Sequence, residues 1–152
     1  DVSNEFYTQV IICHDAQNVL LLENTTYEIM AHSDACLVAS GTATLETGCF
    51  GTPLIVVYRT SNLTYQIARR LVKLDRIGLV NIVAGEKVAP ELIQDEFTPE
   101  AAAAQLLPML TDRAVRGRFE QELQGVRAKL GEPGASKRVA EIAIELVWQN
   151  KE

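Results

Sequence analysis

Apolar residues in the first 60 positions come in short unbroken runs, not in alternation. Residues 9–13, 18–22, 35–39 and 54–58 are each dominated by apolar or β-branched side chains. A strand that is apolar on both sides must be covered on both sides, and the common solution is a parallel sheet sandwiched between helices. Residues 9–13 and 18–22 read as the first two such strands, and residues 35–39 and 54–58 as the next two. Between them, Asn24 and Thr25 are placed to cap a short helix containing Tyr27, Ile29 and Met30. Residues 42–50 read as a second helix, stopped by Gly51 and Pro53. The expected class is therefore α/β, a parallel sheet flanked by helices.

The second half reads as mostly helical. Residues 62–74 carry Leu63, Ile67, Leu71 and Leu74 at helical spacing. Residues 77–84 read as irregular around Gly78 and Asn81, and residues 90–94 as a short helical turn. Thr98 followed by Pro99 is a helix start, a capping hydroxyl before a proline at the first helical position. Helices follow to about residue 110, over 112–130 and over 136–148, with Gly131, Pro133 and Gly134 separating the last two. This divides the chain into a sheet-bearing unit over residues 1–110 and terminal helices over 111–152, packed on that unit or on a domain outside the chain.

Composition removes several classes. The 152 residues suffice for one domain with a core, and 47% hydrophobic with 22% charged residues excludes a disordered chain. No apolar run approaches the ~20 residues that span a bilayer. The net charge of −6, from 14 basic and 20 acidic residues, argues against a general nucleic-acid binder. The chain opens Asp1-Val2-Ser3, with no Met and no leader pattern, so a piece of a longer protein is expected. Three cysteines, Cys13, Cys36 and Cys49, fit no zinc or redox spacing and are expected to be buried free thiols in a reducing cytosol.

The residues with chemical meaning begin where the third run ends, in Ser40-Gly41-Thr42. A helix starting at the carboxyl end of a parallel strand presents free amides to ligands, and its dipole favours an anion such as a phosphate or diphosphate. Gly41 allows close approach, and Ser40 and Thr42 bring hydroxyls. A plain helix cap is the competing reading. Glu46 stands one turn on, in a small or apolar stretch, where a carboxylate can accept from a ribose diol or simply face solvent. No Walker loop, GxGxxG fingerprint or GxSxG elbow is present. Arg59, the first basic residue, follows the fourth run and is suited to a phosphate or to a surface ion pair. Arg69, Arg70, Lys73 and Arg76 make a basic face that suits anionic lipid headgroups or plain solvation.

In order along the chain stand Ala39-Ser40-Gly41-Thr42-Ala43-Thr44-Leu45-Glu46, Gly51-Thr52-Pro53, Val57-Tyr58-Arg59, and Leu63-Thr64-Tyr65 through Lys73. Asn81, Ala84-Gly85 and Pro90-Glu91-Leu92-Ile93-Gln94 continue the series. This string resembles the C-terminal half of the lipid-A-disaccharide synthase family, from about residue 23 to about residue 110 and more weakly beyond. The resemblance implies the GT-B fold, with this chain as its Rossmann-like, UDP-binding C-terminal domain plus terminal helices. It implies an inverting transfer of 2,3-diacylglucosamine from UDP-2,3-diacylglucosamine to 2,3-diacylglucosamine 1-phosphate. The product is the β-1,6-linked lipid A disaccharide of Gram-negative lipopolysaccharide, and UDP is released. It implies no cofactor and no metal in the site, and a cytoplasmic location peripheral to the inner membrane. Ser40, Gly41, Thr42 and Glu46 would hold the nucleotide. Tyr58, Arg59, Asn81, Glu91 and Gln94 would line the cleft, and Arg69, Arg70, Lys73 and Arg76 would face the membrane surface. The general base would lie in the domain outside this chain, so the chain alone is expected to bind UDP without transferring sugar. Terminal helices of the family cross between domains and swap between subunits, which implies a homodimer. One departure is that Val80, not proline, precedes Asn81, which frees the φ of residue 80.

Two further enzyme readings share the architecture: a UDP-sugar transferase of the peptidoglycan-precursor type, and a UDP-sugar epimerase. A reading from another class makes the chain a non-catalytic interaction module that docks through its helical second half.

Overall fold

The computed structural model describes residues 2–61, 64–65 and 76–149. The element order is α1 (Asn4–Cys13), α2 (Thr26–His32), β1 (Cys36–Ala39), α3 (Thr42–Phe50), β2 (Leu54–Tyr58), α4 (Leu79–Ala84), β3 (Glu91–Ile93), a 3-10 turn (Gln94–Glu96), α5 (Pro99–Thr111), α6 (Arg113–Lys129) and α7 (Ala135–Gln149). The three strands form one parallel sheet in the order β1-β2-β3. Cys36 stands opposite Leu54 and Ala39 opposite Val57, while Val56 stands opposite Glu91 and Tyr58 opposite Ile93. This is the expected α/β architecture, an open parallel sheet between helices of the Rossmann-like type.

The central strand explains the unbroken apolar run. Leu54 and Val56 point to one face and join Val38, Val80, Leu123 and Val126. Ile55 points to the other and joins Leu92, Ala102 and Met109. Both faces of β2 are thus sealed, and a strand with no polar side needs that. The helix boundaries follow local chemistry. Thr98 Oγ1 accepts from the Ala101 amide at 3.1 Å, with Pro99 next to it. Asp112 Oδ1 accepts from the Ala114 amide at 2.8 Å and so ends α5 and begins α6. Gly51 ends α3 in the left-handed conformation, at φ 78°. α6 packs against α3, α4 and α5 and contributes Leu123 and Val126 to the core.

Four local expectations are corrected. Residues 9–13 belong to α1, not to a strand. Ser3 caps that helix, and Phe6 and Val10 repeat at helical spacing, which outweighs the strand preference of a β-branched run. Residues 18–22 form no strand, and Leu20 is 80% exposed. An apolar run signals a need for burial, not the element that provides it. Residues 77–84 are not irregular, because Gly78 and Gly85 bound α4 instead of interrupting it. Residues 91–93 are a strand and not a helical turn, since three residues carry no readable period. The helix expected over 62–74 falls mostly outside the described residues.

The cysteines need a correction too. All three are free, but Cys13 is exposed and Cys36 and Cys49 are half-buried. Cys13 reaches the surface because its segment is a surface helix. Burial pushes the Cys36 thiol up from its ordinary range, partly offset by a hydrogen bond with Ser33. The thiolate is the nucleophile. Iodoacetamide at mildly alkaline pH should therefore modify Cys13 well before Cys36, as read by peptide mass mapping over time. Ile55→Ala, at a fully buried position in the central strand, should cost about 3 kcal/mol in urea unfolding.

Candidate functional site at the carboxyl edge of the sheet

Parallel strands all end on one side, so the ends of β1, β2 and β3 bring Ser40, Arg59 and Gln94 to a common edge. Ser40 continues the ladder, its amide donating to Val57 O at 2.9 Å. Gly41 then turns the chain with an almost fully extended backbone, φ 158° and ψ −166°, and α3 begins at Thr42. A Cβ built on Gly41 would meet nothing within 4 Å, so the turn faces open space. No side chain caps α3. The amides of Thr42 and Ala43 thus keep the orphan donors of a helix start. Thr42 is exposed. Glu46 is half-buried one turn further along and has no hydrogen-bond or ion-pair partner among the described residues.

Ser40 is committed elsewhere. Its Oγ donates to Ile77 O at 3.0 Å. A hydroxyl has one proton, so Ser40 does not offer a donor to the open side.

Arg59 and Gln94 form a clamp between the ends of β2 and β3. Gln94 Oε1 accepts from the Thr60 amide at 2.7 Å, and Gln94 Nε2 donates to Thr60 O at 2.9 Å. The side-chain amide thus stands in for a strand neighbour of residue 60. Gln94 holds a left-handed backbone, φ 54°, uncommon for a residue with a Cβ. Arg59 Nη2 donates to Phe97 O at 2.7 Å and to Gln94 O at 3.3 Å, and its guanidinium lies 5.7 Å from the Phe97 ring centroid. Nε and Nη1 of Arg59 have no acceptor among the described residues. Tyr58 is exposed at the end of β2.

Asn81 and Glu91 lie inside the molecule. Asn81 is fully buried and uses its whole amide: Nδ2 donates to Ala89 O and Glu91 Oε1, each at 2.8 Å, and Oδ1 accepts from the Val88 and Ala89 amides at 2.9 and 2.8 Å. Glu91, 8% exposed, also accepts from the Ile77 amide at 3.1 Å and the Gly78 amide at 2.9 Å. The two residues expected on the cleft wall instead hold the start of α4 to β3. Their order along the chain carries no sign that they bond to each other, since the pairing depends on the return of the chain between Asn81 and Glu91. Arg76 is half-buried and points Nη1 at Asn81 O, 3.5 Å away. Arg69, Arg70 and Lys73 lie outside the described residues.

A concavity of about 360 Å³ opens at the opposite edge, where Asp34 precedes β1 and Pro53 precedes β2. Arg116 and Asp34 pair across it at 2.7 Å, both partly exposed. A pair so accessible to water adds little stability. Among the described residues no group of three or more His, Cys, Asp or Glu side chains is placed to hold a metal ion, and no helix is long and apolar enough to cross a membrane.

Comparison with known proteins gives one consistent answer. The family model described as lipid-A-disaccharide synthetase matches residues 1–145. The lipid-A-disaccharide synthase of Syntrophus aciditrophicus is 50% identical over 133 residues, covering 88% of this chain and 35% of that protein. The enzyme of the same name from Anaeromyxobacter sp. is 47% identical over 131 residues, covering 86% of this chain and 34% of the relative. That of Geobacter metallireducens is 42% identical over 133 residues, covering 88% and 35%. The chain spans about a third of the length of the curated relatives it matches.

Asn81→Ala would strip partners from two amides, one carbonyl and a buried carboxylate at once. The expected loss is about 3 kcal/mol or more of unfolding free energy, measured by urea titration.

Proposed function

The chain belongs to the lipid-A-disaccharide synthase family, and from that premise we propose that it is the donor-holding part of a lipid A glycosyltransferase. The observation that carries the reading is the uncapped start of α3 at the carboxyl end of β1, with the unpartnered Glu46 one turn beyond. The diphosphate of a UDP-sugar would lie against the Gly41, Thr42 and Ala43 amides, with the Thr42 hydroxyl beside it. The ribose diol would donate to Glu46. Arg59, held at one end by Phe97 O and Gln94 O, has Nε and Nη1 left for an anion.

As the sugar–phosphate bond breaks, negative charge builds on the departing UDP. Amides already aimed at that position stabilise the charge without reorganising. This assigns the neutralising role to the helix start and not to a bound metal. The donor would be UDP-2,3-diacylglucosamine and the acceptor 2,3-diacylglucosamine 1-phosphate, joined β-1,6 with inversion. The base that deprotonates the acceptor hydroxyl is assigned to the remainder of the parent protein. The acyl chains tie the substrates to a membrane, and the basic segment that includes Arg76 would attract its anionic headgroups on the cytoplasmic side.

α7 supports a docking role for the terminal helices. Val139 and Ile142 are more than half exposed, on a helix that buries no residue in the described core. A helix with such a face is stabilised by contact with another body. We assign that contact to the rest of the parent or to a second copy, in keeping with a homodimer by helix exchange.

Titration with UDP, followed through amide shifts, tests the reading. Shifts should cluster over residues 40–46, and Glu46→Ala should weaken binding several-fold. The isolated chain should transfer no sugar. A UDP response elsewhere, or an unaltered affinity in Glu46→Ala, would sink the assignment.

A further inference from the structure

Ser40 and Glu91 meet on opposite sides of a single peptide group, the one joining Ile77 to Gly78. Its carbonyl accepts from Ser40 Oγ at 3.0 Å, and its N–H donates to Glu91 Oε1 at 2.9 Å. The same Glu91 oxygen receives Asn81 Nδ2 at 2.8 Å. The result is one directed chain of hydrogen bonds, from the hydroxyl at the end of β1, through a backbone amide, to a buried carboxylate on β3. Each bond in such a chain polarises the next, more strongly where water is excluded.

The peptide group is tightly placed. A Cβ on Gly78 would lie 2.8 Å from Val56 Cγ2 and 3.2 Å from Glu91 Oε1. Only a residue without a side chain lets the backbone enter between β2 and the carboxylate. At the other end, Ser40 is fixed by its amide to Val57 O. It is also covalently joined to Gly41, the first residue of the open turn. Any displacement of the peptide between Ile77 and Gly78 must therefore move Ser40 or break its bond.

We propose that Ser40, Glu91 and Asn81 are positioning residues for the open turn. Glu91 and Asn81 set the peptide between Ile77 and Gly78, that peptide holds the Ser40 hydroxyl, and Ser40 aims the Gly41 and Thr42 amides. Ser40 acts through this relay and not by donating to the ligand, since its proton is already in use. This deepens the nucleotide reading of the turn and rests on it.

The test uses amide spectra of the full 152-residue chain, free and with UDP. In the free protein, Ser40→Ala should move the Gly78 amide and the Asn81 side-chain amide together with Gly41 and Thr42. UDP affinity should fall several-fold, and Ser40→Thr should restore both. Glu91→Gln should move Gly41 and Thr42, and should move them no further when Ser40→Ala is already present. Should Glu91→Gln fail to fold, the Ser40→Ala and Ser40→Thr comparison decides alone. Loss of UDP affinity in Ser40→Ala with Gly78 and Asn81 unmoved would overturn the relay, because Ser40 would then be touching the ligand directly. Additive shifts in the double variant would overturn it as well. Coupled shifts in a chain whose residues 40–46 ignore UDP would instead overturn the nucleotide reading and leave the relay as architecture.

Discussion

Glu91 is a carboxylate with little access to water, and its charge is tolerable there only if donors surround it. Two backbone amides at the start of α4 and the Asn81 side chain provide them. Asn81 in turn is held by the backbone of Val88 and Ala89. One polar cluster therefore ties together β3, the start of α4 and the loop that returns from α4 to the sheet. None of these is long enough to be stable alone: α4 has six residues and β3 has three. Their shape is fixed by the cluster and by the apolar contacts of Val80, Ala84 and Leu92 around it.

The same arrangement sets the two neighbouring helix starts apart. α3 and α4 both begin close to Ser40. Just ahead of α4 the carboxylate of Glu91 accepts from the Ile77 and Gly78 amides, so a negative charge already sits beside that helix start. Neither helix has a side-chain cap, but no carboxylate is bonded to the turn before α3, and that turn opens outward. The proposed anion site at α3 draws on this contrast, with α4 as part of the support beneath it. Gln94 plays a comparable part on the far side. It spends its amide on Thr60 and leaves the Arg59 guanidinium braced at the sheet edge.

The sequence was most legible where one short-range rule applied. The bounds of α3 and β2 follow from the Ser-Gly-Thr turn and from Gly51 and Pro53, and the start of α5 follows from Thr98 and Pro99. The open turn and Glu46 could be located in the same way. Legibility failed where a partner distant in sequence decides. The strand over Glu91–Ile93 exists because β2 offers it hydrogen bonds, and Gly78 is a helix boundary whose own amide, like that of Ile77, is taken by Glu91. Ser40 was legible as a hydroxyl at the turn, but not as one already bonded to Ile77, 37 residues away. Asn81 and Glu91 were legible as special residues. That they bond to each other is a fact of chain reversal, and no local pattern carries it.

Val80 shows how the support tolerates change. The family resemblance implies proline at this position, and a proline would fix the φ of residue 80. Val80 is the second residue of α4, within the first turn, where a backbone N–H has no helical acceptor. Proline gives up nothing there, and valine gains no bond by having the N–H. The valine side chain is fully buried, and the absence of a Cβ on Gly48 leaves it room: a methyl on Gly48 would lie 2.9 Å from Val80 Cγ2. Asn81 needs no help from a rigid neighbour, since four hydrogen bonds already fix its amide. With the cluster complete, position 80 is free to serve the core.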